Sequence, residues 1–171
     1  MSLSPLAAIR FDQDDIDTFL DGIAKVLTAR GLKLRGAMQT RGAMGGECHC
    51  ADMDLSTFGS GRTFRISQPL GTGSRGCRLH PGALAECSAF IEQELRQGAD
   101  LLILNRFGRG ESEGRGFRDL MVQAIALDVP VRPTYVQAWS AFSAGAGCEL
   151  PMDQDAILNW FRAVQRARHA A

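Results

Sequence analysis

Two stretches of this chain combine glycine with arginine in a way suited to holding an anion. The first is Gly71-Thr72-Gly73-Ser74-Arg75-Gly76-Cys77-Arg78, and the second is Asn105-Arg106-Phe107-Gly108-Arg109, directly after the apolar run Leu101-Leu102-Ile103-Leu104. Glycine lets backbone N–H groups turn inward and approach an oxygen closely, and the arginine fork donates paired hydrogen bonds to oxyanions. Gly73, Ser74, Arg75, Gly76, Cys77 and Arg78 are therefore the candidate anion-binding residues of the first stretch, and Asn105, Arg106, Gly108 and Arg109 those of the second. Glu111 and Glu113 follow as carboxylates able to position a water, a metal or an arginine, and Glu111 is the candidate catalytic base if the chain is an enzyme. A glycine-rich turn alone is a weak motif, and connecting loops with self-neutralising charge are the plainer alternative for both stretches.

The cysteines offer less. Cys48-His49-Cys50, with Asp52 and Asp54 behind it, looks like a metal cluster until its spacing is considered. On an extended strand, alternate side chains point to opposite faces, so Cys48, Cys50, Asp52 and Asp54 share one face and His49 takes the other. Structural zinc sites use wider cysteine spacing and a second ligand pair, so no metal site is expected. Half-buried strand cysteines, a thiolate contact to a soft oxometal ion and a redox role all remain open. Cys77 lies between Arg75 and Arg78, surroundings that favour its thiolate, with His80 as the nearest base; a small buried residue anchoring the loop is the alternative.

The elements that must position these residues follow from periodicity. Leu6 to Phe11 is a short apolar strand, and Asp14 or Asp15 then caps a helix carrying Ile16, Phe19, Leu20, Ile23, Val26 and Leu27, stopped by Gly31. Leu32 to Gln39 is the next strand. Alternation in His49 to Leu55 and in Arg62 to Ser67, around Gly59-Ser60-Gly61, predicts a β-hairpin. Pro81 opens a second helix with Leu84, Phe90, Ile91 and Leu95, closed by Gly98, and Asp100 to Asn105 is a buried parallel strand. Phe117, Leu120, Met121, Ala124 and Ile125 mark a third helix before a strand at Val129-Pro130-Val131. Val136 to Ala144 and Asp153 to Arg168 read as two further helices, the second with Ile157, Trp160, Phe161 and Val164 on one face. The pattern predicts one α/β domain over residues 1–171, three layers around a mostly parallel sheet, with an inserted hairpin at about 42–69. In such sheets, ligands sit beyond the carboxyl ends of the strands, where the loop from Asn105 begins.

Composition narrows the partners. The 171 residues are 45% apolar, and 19 basic residues balance 19 acidic ones, so no overall charge draws the chain to nucleic acid or to an anionic membrane surface. Locally the balance differs: no acid lies between Asp54 and Glu86, while Arg62, Arg65, Arg75, Arg78 and His80 do, which predicts positive potential on one part of the fold. Only Lys25 and Lys33 are lysines, a bias that GC-rich coding also produces. Five cysteines, an odd number, without a secretory leader pattern, argue against a disulfide framework and for a reducing cytoplasm. No apolar run approaches the roughly 20 residues of a membrane-spanning helix.

Cys50-Ala51-Asp52-Met53-Asp54-Leu55, Arg65-Ile66-Ser67-Gln68, Gly71 to Leu79, and Asn105-Arg106-Phe107-Gly108 with Glu111, Gly114, Gly116 and Phe117 together resemble a bacterial family of unknown function. Its pattern is a Cys-Asp-Met-Asp-Leu strand, an Ile-Ser-Gln segment, a Gly-Cys-Arg-Leu loop and an Asn-Lys/Arg-Phe-Gly loop with a following Glu. The resemblance covers about Leu6 to Trp160, with one departure: Ala51 separates Cys50 from Asp52. The family is often associated with molybdate uptake genes and looks like the P-loop nucleoside-triphosphatases in architecture, which implies a molybdate or tungstate ligand on an NTPase-like fold. This chain departs from those enzymes at the phosphate loop, since Asp12-Gln13-Asp14-Asp15 follows the first strand with no Gly-x-x-x-x-Gly-Lys-Ser/Thr.

The leading expectation is an oxyanion-binding protein, with molybdate, tungstate, phosphate or sulfate as the candidate ligand and a homo-oligomer as one allowed assembly. The alternatives are a nucleotide-binding phosphohydrolase or phosphotransferase that uses Glu111, and a regulatory interaction protein whose contact surface is an exposed hairpin from Cys48 to Ser67.

Overall fold

The computed structural model describes residues 4–10, 15–41, 53–68, 79–104, 111, 116–127, 131–133 and 146–170. Its helices begin and end where local chemistry says they should. α1 (Ile16–Ala29) is capped by Asp15, whose carboxylate accepts the Thr18 N–H at 3.1 Å, and it ends before Gly31 at φ +79°. α2 (Pro81–Arg96) has proline in its first turn and His80 as its cap, and Gly98 at φ +96° lies just past its end. α3 (Arg118–Ala126) is short. α4 (Gln154–His169) is capped by Asp153, which accepts the Ala156 N–H at 2.8 Å.

The strands are β1 (Ala7–Ile9), β2 (Leu34–Arg41), β3 (Met53–Thr57), β4 (Thr63–Arg65), β5 (Leu101–Leu104), β6 (Val131–Pro133) and β7 (Cys148–Leu150). Five of them form a sheet in the order β4-β3-β2-β5-β6, and β1 pairs with β7 in a second ladder. β2, β5 and β6 are parallel, as are β1 and β7, whereas β3 runs antiparallel to both β2 and β4. Cα atoms of β1 and β6 approach within 8 Å, closer than the ~10 Å between stacked sheets. The short ladder therefore continues the larger one edge to edge.

Strand alternation sorts the core into two halves. Ala8, Ala37, Leu55, Phe64, Leu102 and Leu104 face α2 and α3, while Ala7, Ile9, Leu34, Leu101 and Ile103 face α1 and α4. This gives helix, sheet and helix layers around a mostly parallel sheet, the α/β class expected from the sequence. Arg30 to Lys33 is a short link between α1 and the start of β2, and Gln97 to Asp100 links α2 to the start of β5. Each helix therefore runs back over the sheet and begins at the edge where the parallel strands end.

Several expectations need correcting. The hairpin is present, with its turn at Gly59 to Gly61, but β3 extends the main sheet through β2 instead of standing out as an exposed insertion. Leu55, Thr57, Phe64 and Ile66 are buried on its inner face, and Cys48 to Asp52 lie outside the described residues. The third helix is present, with Ile125 41% exposed on it. β7 is a strand that the sequence reading did not contain. The helix expected at Val136 to Ala144 lies outside the described residues.

Glycine matters most at Gly36, which has φ +110° in the middle of β2, where a Cβ would overlap the Ile103 carbonyl of β5. Gly36→Ala should cost about 3 kcal/mol or more by thermal denaturation. Gly22 lies within α1 with nothing within 4 Å of the site of a Cβ, so Gly22→Ala should add about 0.5–1 kcal/mol. Equal effects at the two positions would contradict this packing.

Candidate functional site

The four described helices start at the carboxyl edge of the sheet, but their first turns differ in charge. α1 begins with Asp15 and Asp17, α4 with Asp153 and Asp155, and α3 with Asp119 in its first turn and the Glu111 carboxylate at its cap. These acids complement the positive helix ends and serve their free N–H groups. α2 has no acid in its first turn. Its cap is the imidazole of His80, whose Nδ1 accepts the Ala83 N–H at 3.0 Å.

The residues leading into α2 are firmly held. Ser67 and Leu79 form an antiparallel bridge, the His80 N–H donates to the Ile66 carbonyl at 2.7 Å, and Gln68 Nε2 donates to the Leu79 carbonyl at 3.3 Å. The candidate residues Gly73, Ser74, Arg75, Gly76, Cys77 and Arg78 fall between these two stems and lie outside the described residues, as do Asn105, Arg106, Gly108 and Arg109 after β5. Their flanks leave the same edge of the sheet. β4 and β5 are three strand spacings apart, about 14 Å at the strand ends.

Of the residues expected to concentrate positive potential, Arg75 and Arg78 lie outside the described residues, and Arg62, Arg65 and His80 are engaged within the fold. Arg62 sits over the rings of Phe64 and Phe90, 4.7 and 4.8 Å from their centroids, and pairs with Glu86 at 3.4 Å. Arg65 forms a two-pronged pair with Asp54 across the β3–β4 ladder, at 3.0 and 3.4 Å. His80 is a helix cap. The sequence counted these side chains as spare cations because the partners of Arg62 and Arg65 are set by register and helix packing, which composition does not reveal.

Glu111 is 7% exposed, and its Oε1 accepts the Phe117 N–H at 3.2 Å, at the start of α3. Gly116 has φ +64°, and a Cβ there would overlap the Glu111 carboxylate. This acid closes the turn that carries the chain from the loop after β5 into α3.

The pattern of a family described as "Protein of unknown function (DUF2478)" matches residues 6–160. The chain belongs to this family. It is also 34% identical over 162 residues to the "Molybdenum import ATP-binding protein ModC 2" of Bradyrhizobium diazoefficiens; the match covers 92% of this chain and 18% of that protein. The chain thus spans under a fifth of the length of this relative. A solved structure titled "Solution Structure of a Human Cancer-Related Nucleoside Triphosphatase" superposes with a TM-score of 0.49 at 16% identity, covering 94% of this chain and 84% of the other.

For this DUF2478 member, no group of three or more His, Cys, Asp or Glu placed to hold a metal occurs among the described residues, and Cys48 and Cys50 lie outside them. No described helix is long and apolar enough to cross a membrane. Cys87, on the inner face of α2, is wholly buried, and burial pushes its thiol from 9.0 up to about 12; Arg62 pulls it down, while Glu86 and Glu94 add to the rise.

Two predictions follow from these side chains. Glu111→Ala leaves a buried N–H unpaired and should cost about 1–3 kcal/mol, whereas Glu111→Gln keeps a carbonyl acceptor and should cost less than half as much, both read by urea denaturation. For Cys87, the unfolded thiol loses its proton above 9.0, while the folded one keeps it to about 12. The folded state therefore binds more protons in that window, and its stability, full below 9.0, falls as pH rises. Cys87→Ala should show a flatter decline over the same range, and identical slopes would contradict the burial effect.

Proposed function

We propose that this chain is an oxyanion-binding module whose ligand, molybdate or tungstate, is held at the N-terminus of α2 by the segment Gly73 to Arg78, with Asn105, Arg106, Gly108 and Arg109 closing over it from β5. One observation carries the reading: among the described helices, α2 alone starts without a carboxylate in its first turn or at its cap. A helix N-terminus left free of acid at the ligand edge of an α/β sheet leaves its positive end uncompensated for an external anion, although Pro81 has no N–H and the Ala83 N–H is already taken by His80. Three glycines, Ser74, Arg75 and Arg78 lead into it. The similarity to a protein named for molybdenum import supports the choice of oxyanion.

The same comparison of helix ends weighs against a nucleotide at the turn from β1 to α1. There Asp15 already accepts an α1 N–H, and Asp17 adds a second negative charge, where a triphosphate would need lysine, magnesium and free N–H groups. The phosphohydrolase reading would have to place its phosphates elsewhere.

Calorimetry with sodium molybdate, tungstate, sulfate and phosphate tests the proposal. Arg75→Ala and Arg78→Ala should each raise the Kd for the preferred oxyanion by about tenfold or more with little change in thermal midpoint. Unchanged affinity in both variants would overturn the assignment. Magnesium-dependent nucleotide turnover by the wild-type chain would establish the enzymatic alternative.

A further inference from the structure

The cap of α2 differs from the other side-chain caps in a second respect, the effect of a proton on it. Asp15 and Asp153 hold the Thr18 and Ala156 N–H groups with carboxyl oxygens, and a carboxyl group accepts hydrogen bonds in both of its protonation states. An imidazole nitrogen does not. The Ala83 N–H donates to His80 Nδ1 at 3.0 Å, so the ring of the capped helix carries its one proton on Nε2. His80 is exposed to solvent, and its ring lies against the first turn: a Cβ on Gly82 would come within 3.1 Å of Cε1 and 3.4 Å of Nδ1. Glycine at that position leaves room for the ring to cap.

We infer that His80 is a pH-operated latch on the first turn of α2, closed while the neutral ring accepts the Ala83 N–H and opened when Nδ1 takes up a proton. A protonated Nδ1 is a donor facing another donor, and the imidazolium then sits at the positive end of the helix. Both effects act in the same direction, and imidazole side chains change charge between about pH 5 and 8. The latch needs no ligand and is independent of the oxyanion reading.

The charged groups around this corner are committed elsewhere. Glu86 of α2 pairs with Arg62, just before β4, and Asp54 of β3 pairs with Arg65 of β4. On α3, Glu111 holds the Phe117 N–H, and Arg118 and Asp119 are exposed. Arg35 of β2 donates to the Glu94 carbonyl, at the far end of α2. No ion pair joins His80 to an acid among the described residues. Opening is confined to the turn, because the His80 N–H stays on the Ile66 carbonyl at 2.7 Å and the His80 carbonyl keeps the Leu84 N–H at 3.1 Å. Neither of those main-chain groups titrates.

Amide hydrogen exchange of the full chain, read by NMR, tests the latch, with the Thr18 and Ala156 amides as controls inside the same molecule. Between about pH 8 and 5, the protection factor of the Ala83 amide should fall about tenfold relative to those two, and it should stay level in His80→Asn, whose side-chain oxygen accepts throughout. The ring supplies a second measurement. Long-range proton–nitrogen spectra of the wild-type chain should show Nδ1 bare at the alkaline end and gaining its proton with the same midpoint as the Ala83 change. An Ala83 amide that tracks Thr18 and Ala156 throughout overturns the latch. So does a fall that persists in His80→Asn, or a loss of protection shared by all three amides. Should His80→Asn not fold, the two wild-type midpoints decide alone: coincidence supports the latch, and separation overturns it.

Discussion

Leu101 to Leu104 must be dry on both faces, and the rest of the molecule is arranged to allow it. All four residues of β5 have 0% exposure, with Leu102 and Leu104 against α2 and α3, and Leu101 and Ile103 against α1 and α4. A strand covered on both faces needs neighbours on both edges for its main-chain groups, supplied here by β2 and β6 running parallel to it. Parallel neighbours in turn need crossover connections, which lay helices on the faces and return every helix start to one edge. Gly36 shows how tightly this is drawn, since its bare Cα is what lets β2 pass the Ile103 carbonyl.

An edge that gathers four positive helix ends has to be neutralised or used. Asp15, Asp153 and the pairing of Glu111 with Phe117 N–H neutralise three of them within the chain, with Asp17, Asp119 and Asp155 adding to the effect. His80 caps the fourth with a ring nitrogen that contributes an acceptor but no negative charge. The difference between helix ends is therefore chemical, and it separates the turn after β1 from the entry to α2 within one architecture.

Much of this was legible in the sequence because it is local. The caps Asp15 and Asp153, the proline opening α2, the stops at Gly31 and Gly98 and the apolar run of β5 are each readable in a window of a few residues. β7 was not legible, because Cys148-Glu149-Leu150 becomes a strand only by pairing with Ala7 to Ile9, far away in sequence. The same distance hid the partners of Arg62 and Arg65: Glu86 arrives on α2 and Asp54 by strand register. Ile125 follows the helical period but falls on the exposed side of a short helix, where hydrophobicity alone misleads. The two glycine–arginine stretches were legible as chemistry only; the described framework adds that their flanks leave the same edge of the sheet.

The pairing of Arg62 and Arg65 bears on selectivity as well as on prediction. A surface carrying four unpaired arginines between Asp54 and Glu86 would attract any anion by long-range field, and salt would screen that attraction. With Arg62 committed to Glu86 and to two aromatic faces, and Arg65 to Asp54, the diffuse component from those two residues is largely cancelled. On the oxyanion proposal, an anion at the α2 end would then be selected at close range, where the size and geometry of the oxyanion decide the fit. The bonded path from Met53 through Ser67 and Leu79 to His80 ties the entry of α2 to the sheet without adding a single charge.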